Sequence, residues 1–154
     1  MIIHLHSTKS CPMKYYLLLF AAFLISSCNL LPGEKGNGHV IKSNRAVAGF
    51  HKLSIDGVFH VILRQGEQEN VVIEADENLV PLITTEVQNG ELTLDLQKGK
   101  KIRRSTQLNI YVTCKNLDEL SIDGVNKVSG DNLKFQYLTL DCNGVGVPLQ
   151  MKVY

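Results

Sequence analysis

Leu53-Ser54-Ile55-Asp56-Gly57-Val58 recurs unchanged as Leu120-Ser121-Ile122-Asp123-Gly124-Val125. In each copy apolar and polar residues alternate over four positions, and a glycine follows. Alternation with period two sends one set of side chains into a core and the other into water, as in a half-buried β-strand. The same apolar-polar-apolar-acid phrase stands at Leu92-Thr93-Leu94-Asp95 and Leu138-Thr139-Leu140-Asp141, and, with an apolar second position, at Val71-Val72-Ile73-Glu74. Leu108-Asn109-Ile110-Tyr111 is a copy without the acid. From Leu120 to Leu138 the step is 18. Strands at a fixed period with glycine turns predict a β-solenoid or an array of hairpins. Spacings in the first half are less even, so a regular coil throughout is not established by period alone.

Around these strands the turn signals are local. Gln88-Asn89-Gly90-Glu91 predicts a hairpin with a type I′ turn, whose two central residues need positive φ. Val58 to Arg64, followed by Gln65-Gly66-Glu67, reads as a strand and then a loop. Asp76-Glu77-Asn78-Leu79 can open one helical turn, which Pro81 is expected to stop. No long amphipathic helix is visible after residue 28, so the expected class is all-β.

The N-terminus has a different character. Met13-Lys14 precedes an apolar run from Tyr15 to Ile25. A membrane span needs about 20 apolar residues; this run is shorter and fits the apolar region of a signal peptide. Ile25-Ser26-Ser27-Cys28 follows at once and resembles the bacterial lipobox. That resemblance implies cleavage before Cys28 and attachment of a diacylglycerol to its sulfur. Met1 to Pro12 has no signal-peptide pattern, and Met13 is an alternative start. Residues 1–27 are thus read as a lipoprotein signal peptide. Residues 28–46, broken by Pro32, Gly33, Gly36 and Gly38, are read as the lipidated cysteine and a flexible tether. Residues 47–154 are read as the β domain. A flexible tether of that length reaches roughly 20–25 Å. Asn29, in place of the Asp that retains some lipoproteins at the inner membrane, points to the outer membrane.

Cleavage before Cys28 leaves 28–154, the size of one ordinary domain. The removed part holds Lys9 and Lys14 and no acid, so basic and acidic residues nearly balance in what remains. That balance gives no push toward nucleic acid. Outside the signal, Cys28 aside, only Cys114 and Cys142 remain. Outside the cytoplasm they can pair, or they can be buried free thiols; with no CxxC spacing a metal or redox site is not indicated.

The motifs from Phe50-His51-Lys52-Leu53-Ser54-Ile55-Asp56-Gly57, through Val71-Val72-Ile73-Glu74-Ala75-Asp76-Glu77-Asn78-Leu79 and Glu86-Val87-Gln88-Asn89-Gly90-Glu91-Leu92, to the strands at Leu120 and Leu138 resemble, in order and spacing, the auto-transporter adhesin head GIN domain family of Bacteroidetes-type bacteria. The resemblance runs from about Phe50 to Leu149. It implies a right-handed, β-helix-like solenoid, often behind a lipoprotein signal, with no catalytic residues to carry over. Members usually continue through further glycine-rich rungs. The end at Tyr154 therefore implies either a truncated chain or a last rung completed by a partner, since open strand edges invite association.

Asp56, Glu74, Asp95, Asp123 and Asp141 share a phase. Stacked on one face, they would form a carboxylate ladder for Ca²⁺, or acid and base groups acting on polysaccharide as in pectin-lyase-like helices. Calcium needs 6–8 oxygens at one point and a glycosidase needs two carboxylates at a set separation; a shared phase supplies neither. The bland reading is that these acids solubilise strand ends and accept turn hydrogen bonds. Lys98, Lys100, Lys101, Arg103 and Arg104 form a charge run that either docks on anionic headgroups or is a solvated loop. His39, His51 and His60 lack zinc spacing, and Ser54 and Ser121 lie inside strands rather than on a nucleophile elbow. The leading expectation is a non-catalytic, membrane-anchored envelope lipoprotein that binds a protein or glycan. A polysaccharide-active enzyme and a purely structural envelope protein are the alternatives. Cys28 is the single residue with an expected chemical role.

Overall fold

The computed structural model describes residues 33–144 and 149–153. The signal segment 1–27 and Cys28 lie outside the described residues. Thirteen strands make up the described fold: β1 (Glu34–Lys35), β2 (Val40–Arg45), β3 (Lys52–Gly57), β4 (His60–Gln65), β5 (Asn70–Asp76), β6 (Ile83–Gln88), β7 (Glu91–Leu96), β8 (Ile102–Arg104), β9 (Leu108–Cys114), β10 (Glu119–Gly124), β11 (Lys127–Leu133), β12 (Thr139–Cys142) and β13 (Leu149–Val153). A 3₁₀ turn, Val80–Leu82, precedes β6. Pro81 is inside that turn rather than beyond it. The first turn of a helix has N–H groups without partners in any case, so a residue that lacks one is tolerated there.

The strands form a five-stranded sheet in the order β12-β10-β3-β7-β6, a six-stranded sheet in the order β13-β11-β4-β9-β5-β2, and a two-stranded ribbon of β1 and β8. The chain crosses from the first sheet to the second along β3–β4, β10–β11, β12–β13 and β7–β9. These four rungs are parallel to their neighbours. A fifth, β5–β6, runs the opposite way, with β5 antiparallel to β9 and β6 to β7.

The repeated hexapeptide accounts for the middle of this stack. Leu53 lies opposite Leu120, Ile55 opposite Ile122 and Asp56 opposite Asp123. On the other side Leu92 and Leu94 face Leu53 and Ile55. All six leucines and isoleucines are buried, as are Val61, Ile110, Val128 and Ile73 across the six-stranded sheet, and both sheets contribute to one core. Each such side chain contributes roughly 1.5–3 kcal/mol on full burial.

The fold is all-β, but it is not one continuous coil. In a solenoid each rung stacks on the rung before it. Here β3–β4 is bounded by β7–β9 and by β10–β11, and the chain reaches β7 only after reversing through β5 and β6. Asn89 (φ 51°) and Gly90 (φ 78°) make the expected hairpin between β6 and β7. The last rung also departs from expectation. Leu120 lies opposite Leu140 and Ser121 opposite Asp141, so the partner of Leu120 stands two positions beyond Leu138.

The stretch expected to be tether is largely part of the fold. β2 is hydrogen-bonded along its length to β5, and β1 pairs with β8. Gly36 provides room rather than slack: a Cβ there would run into the Asp76 carboxylate.

At the corner between β10 and β11, Asn126 is 2% exposed. Its Oδ1 accepts the Phe59 N–H at 2.8 Å and its Nδ2 donates to the Asp123 carbonyl, so one amide joins two stacked corners. Asn126→Ala strands the buried Phe59 N–H and is expected to cost about 2 kcal/mol, read as a lower urea midpoint with an unchanged slope.

Candidate functional site

Alternation within the six-stranded sheet decides what its outer face presents. The core takes Leu108, Ile110 and Val112 from β9, so Asn109, Tyr111 and Thr113 point outward. Strand register then sets rows across the face. Lys127, His60, Asn109, Glu74 and Lys42 lie in one row, and Ser129, Ile62, Tyr111, Val72 and Asn44 in the next.

His60, Asn109, Glu74 and Lys42 of the first row, with Tyr111, form a connected polar network. Glu74 Oε2 accepts hydrogen bonds from Tyr111 Oη at 2.9 Å, Gln107 Nε2 at 3.0 Å and Asn109 Nδ2 at 3.2 Å. Its Oε1 lies 3.3 Å from Lys42 Nζ. The Tyr111 hydroxyl, followed by the Asn109 amide, holds the Glu74 carboxyl below the usual carboxylate range; partial burial opposes this and loses. Since Asn109 donates through Nδ2, its Oδ1 is the acceptor that faces His60 Nδ1 at 3.2 Å. His60 Nδ1 is thus placed to donate to that oxygen, and Nε2 lies 3.4 Å from Ser129 Oγ. The Arg64 guanidinium lies 4.9 Å from the centre of the Tyr111 ring, a cation–π contact worth roughly 0.5–1 kcal/mol at an exposed site. Ile62 and Val72 flank that ring. Along one margin runs an open groove lined by His60, Asn109, Lys127 and the exposed Val58 and Val125.

This face suits recognition. Its donors and acceptors are held in place by one another, so a ligand meets groups already ordered. Ser129, His60 and Asn109 superficially resemble a hydrolase triad. A hydrolase serine, however, stands on a strained turn beside free backbone N–H donors, whereas Ser129 lies mid-strand with ladders on both sides.

The five expected ladder acids are divided. Asp56 and Asp123 lie opposite each other on the five-stranded sheet, Asp95 is on the adjacent β7, and Asp141 lies opposite Ser121. Glu74 is on the other sheet. Among the described residues no three His, Cys, Asp or Glu side chains are grouped to hold a metal ion. Lys98, Lys100 and Lys101 lie between β7 and β8, and Arg103 and Arg104 on β8 itself, paired with β1. His39 and His51 are exposed and His60 is half-buried. Cys114 and Cys142 do not pair: Cys142 is exposed, and burial pushes the Cys114 thiol up to about 11.

Sequence alone marks Glu74 as an outward acid and misses its partners. The alternation of Leu108 to Cys114 points to Asn109 and Tyr111, but only register reveals that β5, β9 and β2 carry them to one place.

These features define a two-sheet β domain with a pre-ordered polar face. Residues 49–151 match the family described as "Putative auto-transporter adhesin, head GIN domain", and the chain belongs to that family. Similar solved structures include a "putative adhesin" from Bacteroides fragilis, with 22% identity, a TM-score of 0.65, and coverage of 79% of this chain and 56% of that one. A "putative lipid binding protein" from Parabacteroides distasonis has 19% identity, a TM-score of 0.61, and coverage of 71% and 48%. A "putative adhesin" from Parabacteroides merdae has 22% identity, a TM-score of 0.57, and coverage of 79% and 59%. At these identities the likeness is one of fold, and the chain spans about half the length of those proteins. No curated protein matches the chain.

Proposed function

We propose that the protein is a lipoprotein of the bacterial envelope, anchored through Cys28, whose domain binds a ligand without transforming it. The anchor rests on the sequence from Met13 to Cys28, and the outer membrane is favoured by Asn29. Adhesion is the role in keeping with the family's description and with the relatives called adhesins. The observation that carries the binding reading is the Glu74 network, an ordered array of carboxylate, amide, hydroxyl and guanidinium groups on one sheet face. A glycosidase acting through Glu74 as its general acid would need that carboxyl kept protonated, and Glu74 is shifted the other way. The solenoid reading belongs to the C-terminal half, where β10–β11 and β12–β13 follow each other as consecutive rungs.

A glycan array and an envelope pull-down with the full chain test the proposal. Glu74→Gln and Tyr111→Ala are each expected to weaken the ligand found by about 10–100-fold, with Gln97→Ala as an outlying control. Unchanged binding by both variants would move the site elsewhere, and binding to nothing in either screen would favour a purely structural envelope role.

A further inference from the structure

The β1–β8 ribbon and the turn that leads into β8 carry a dense run of positive charge. Lys35, Lys98, Lys100, Lys101, Arg103 and Arg104 are all exposed. One acid stands among them: Glu34, whose Oε1 lies 3.2 Å from Lys100 Nζ. Lys35 lies opposite Arg104 and Glu34 opposite Ile102. Ile102 packs against the core, while Arg103 and Arg104 beside it are both exposed.

The chain is fastened to this strand from its first described residues. The Glu34 N–H donates to the Lys101 carbonyl at 2.7 Å and the Gly36 N–H to the Arg104 carbonyl at 2.8 Å. Gly33 lies against Arg103, where an added Cβ would come within 3.0 Å of the Arg103 Cβ. From Cys28 to Gly33 there are five residue steps, at most about 18 Å when fully extended. The leash is thus several times shorter in chain than the 28–46 tether read from composition, and it ends on the cationic ribbon.

We propose that the β1–β8 ribbon is a docking surface for an anionic lipid bilayer, and that it holds the domain in one orientation against the membrane that anchors it. The inference rests on the Cys28 anchor for its geometry and on charge complementarity for its attraction. A screening length of about 8 Å at physiological salt confines the attraction to short range. A long tether would spend little time in that range, whereas a five-residue leash keeps the ribbon close to it. Each cation near a charged leaflet adds up to about 1 kcal/mol, so six act together where one would not.

The test uses the mature chain, residues 28–154, carrying Cys28→Ser, so that neither the apolar signal segment nor an acyl chain is present. It is sedimented with vesicles of phosphatidylcholine alone and of phosphatidylcholine mixed with phosphatidylglycerol. Anionic vesicles are expected to retain at least tenfold more protein than neutral ones at low ionic strength, and the excess should vanish at high ionic strength, where screening is nearly complete. Changing Lys98, Lys100 and Lys101 to Gln, or Arg103 and Arg104 to Gln, should each remove part of the excess, and all five together most of it, with melting temperatures unchanged. Equal sedimentation on both vesicles would overturn the proposal, as would an anionic excess that survives the five changes or high salt. The salt series needs no substitution, so the question is decided even if a variant folds poorly. The mass of the N-terminal peptide of the unaltered protein separately reports the diacylglyceryl group on Cys28. Its absence would overturn the anchor reading, a result distinct from failure of the vesicle binding.

Discussion

Replacing Gly124 with Ala is expected to destabilise the domain by about 4 kcal/mol, a large part of the roughly 5–15 kcal/mol that holds a domain of this size together. Two causes add. Gly124 has φ +86°, a region in which a non-glycine residue costs on the order of 1–3 kcal/mol. A Cβ at this position would also run into the Gly57 carbonyl oxygen of the neighbouring rung. Backbone cannot move aside as the end of a side chain can. Relief therefore means parting the stacked corners, where the Val125 N–H donates to that same Gly57 carbonyl at 2.9 Å. Gly99 separates the two causes. It has φ +78° and nothing within 4 Å of an added Cβ, so Gly99→Ala should cost only about 1 kcal/mol. Urea midpoints for the two variants decide the matter. Equal losses would show that the rungs do not touch at this corner.

That corner also shows how far the sequence can be read. Two identical hexapeptides read as two strands, and β3 and β10 are paired residue for residue, a neighbourhood that strand alternation does not announce. The third copy misleads. A strand shifted by two positions keeps every side chain on its own face, so alternation cannot separate Leu138 from Leu140 as the partner of Leu120. Only hydrogen bonding along β12 makes that choice, and it places Asp141 beside Ser121. The order of rungs is hidden for a related reason: period two identifies strands but says nothing of their direction, and β5 and β6 reverse. Glycine carries a similar ambiguity. Gly33 and Gly36 read as flexibility because an isolated glycine permits it, yet Gly36 sits where Asp76 leaves no space for a side chain and Gly33 where Arg103 leaves little. The Glu74 site is illegible because its donors come from Gln107, Asn109, Tyr111 and Lys42, which meet only once register is known.

Asp76 stands in a sequence motif without an assigned role, yet its replacement is expected to give the largest loss of any single polar change, a fall in melting temperature of roughly 10 °C. Its side chain is fully buried. Oδ1 accepts the Gly38 N–H at 2.7 Å and Oδ2 the Thr106 N–H at 2.7 Å. Asp76 thus joins the strap between β1 and β2 to the turn between β8 and β9. Asn is not a conservative replacement here, because its amide offers one acceptor where two backbone donors point, and its NH₂ would face an N–H. Burial is the largest influence on the Asp76 carboxyl and would raise it. The N–H and hydroxyl of Thr106, with the N–H groups of Gly38 and Gln107, outweigh burial and hold it below the ordinary value. A depressed folded pKa contributes stability that is fully present above the unfolded value, about 3.9, and is lost as pH falls through the folded one. The native protein should therefore lose stability steeply below about pH 4, and Asp76→Asn should flatten that slope, leaving the share due to Glu74. The same substitution frees Gly38 from the carboxylate that holds its N–H and so loosens the strap that leads from β1 to β2. Amide exchange at Gly38 and Thr106 should rise well before the core strands exchange. If protection at those two amides survives Asp76→Asn, the strap is held by the β1–β8 pairing alone, and the short leash does not depend on this carboxylate.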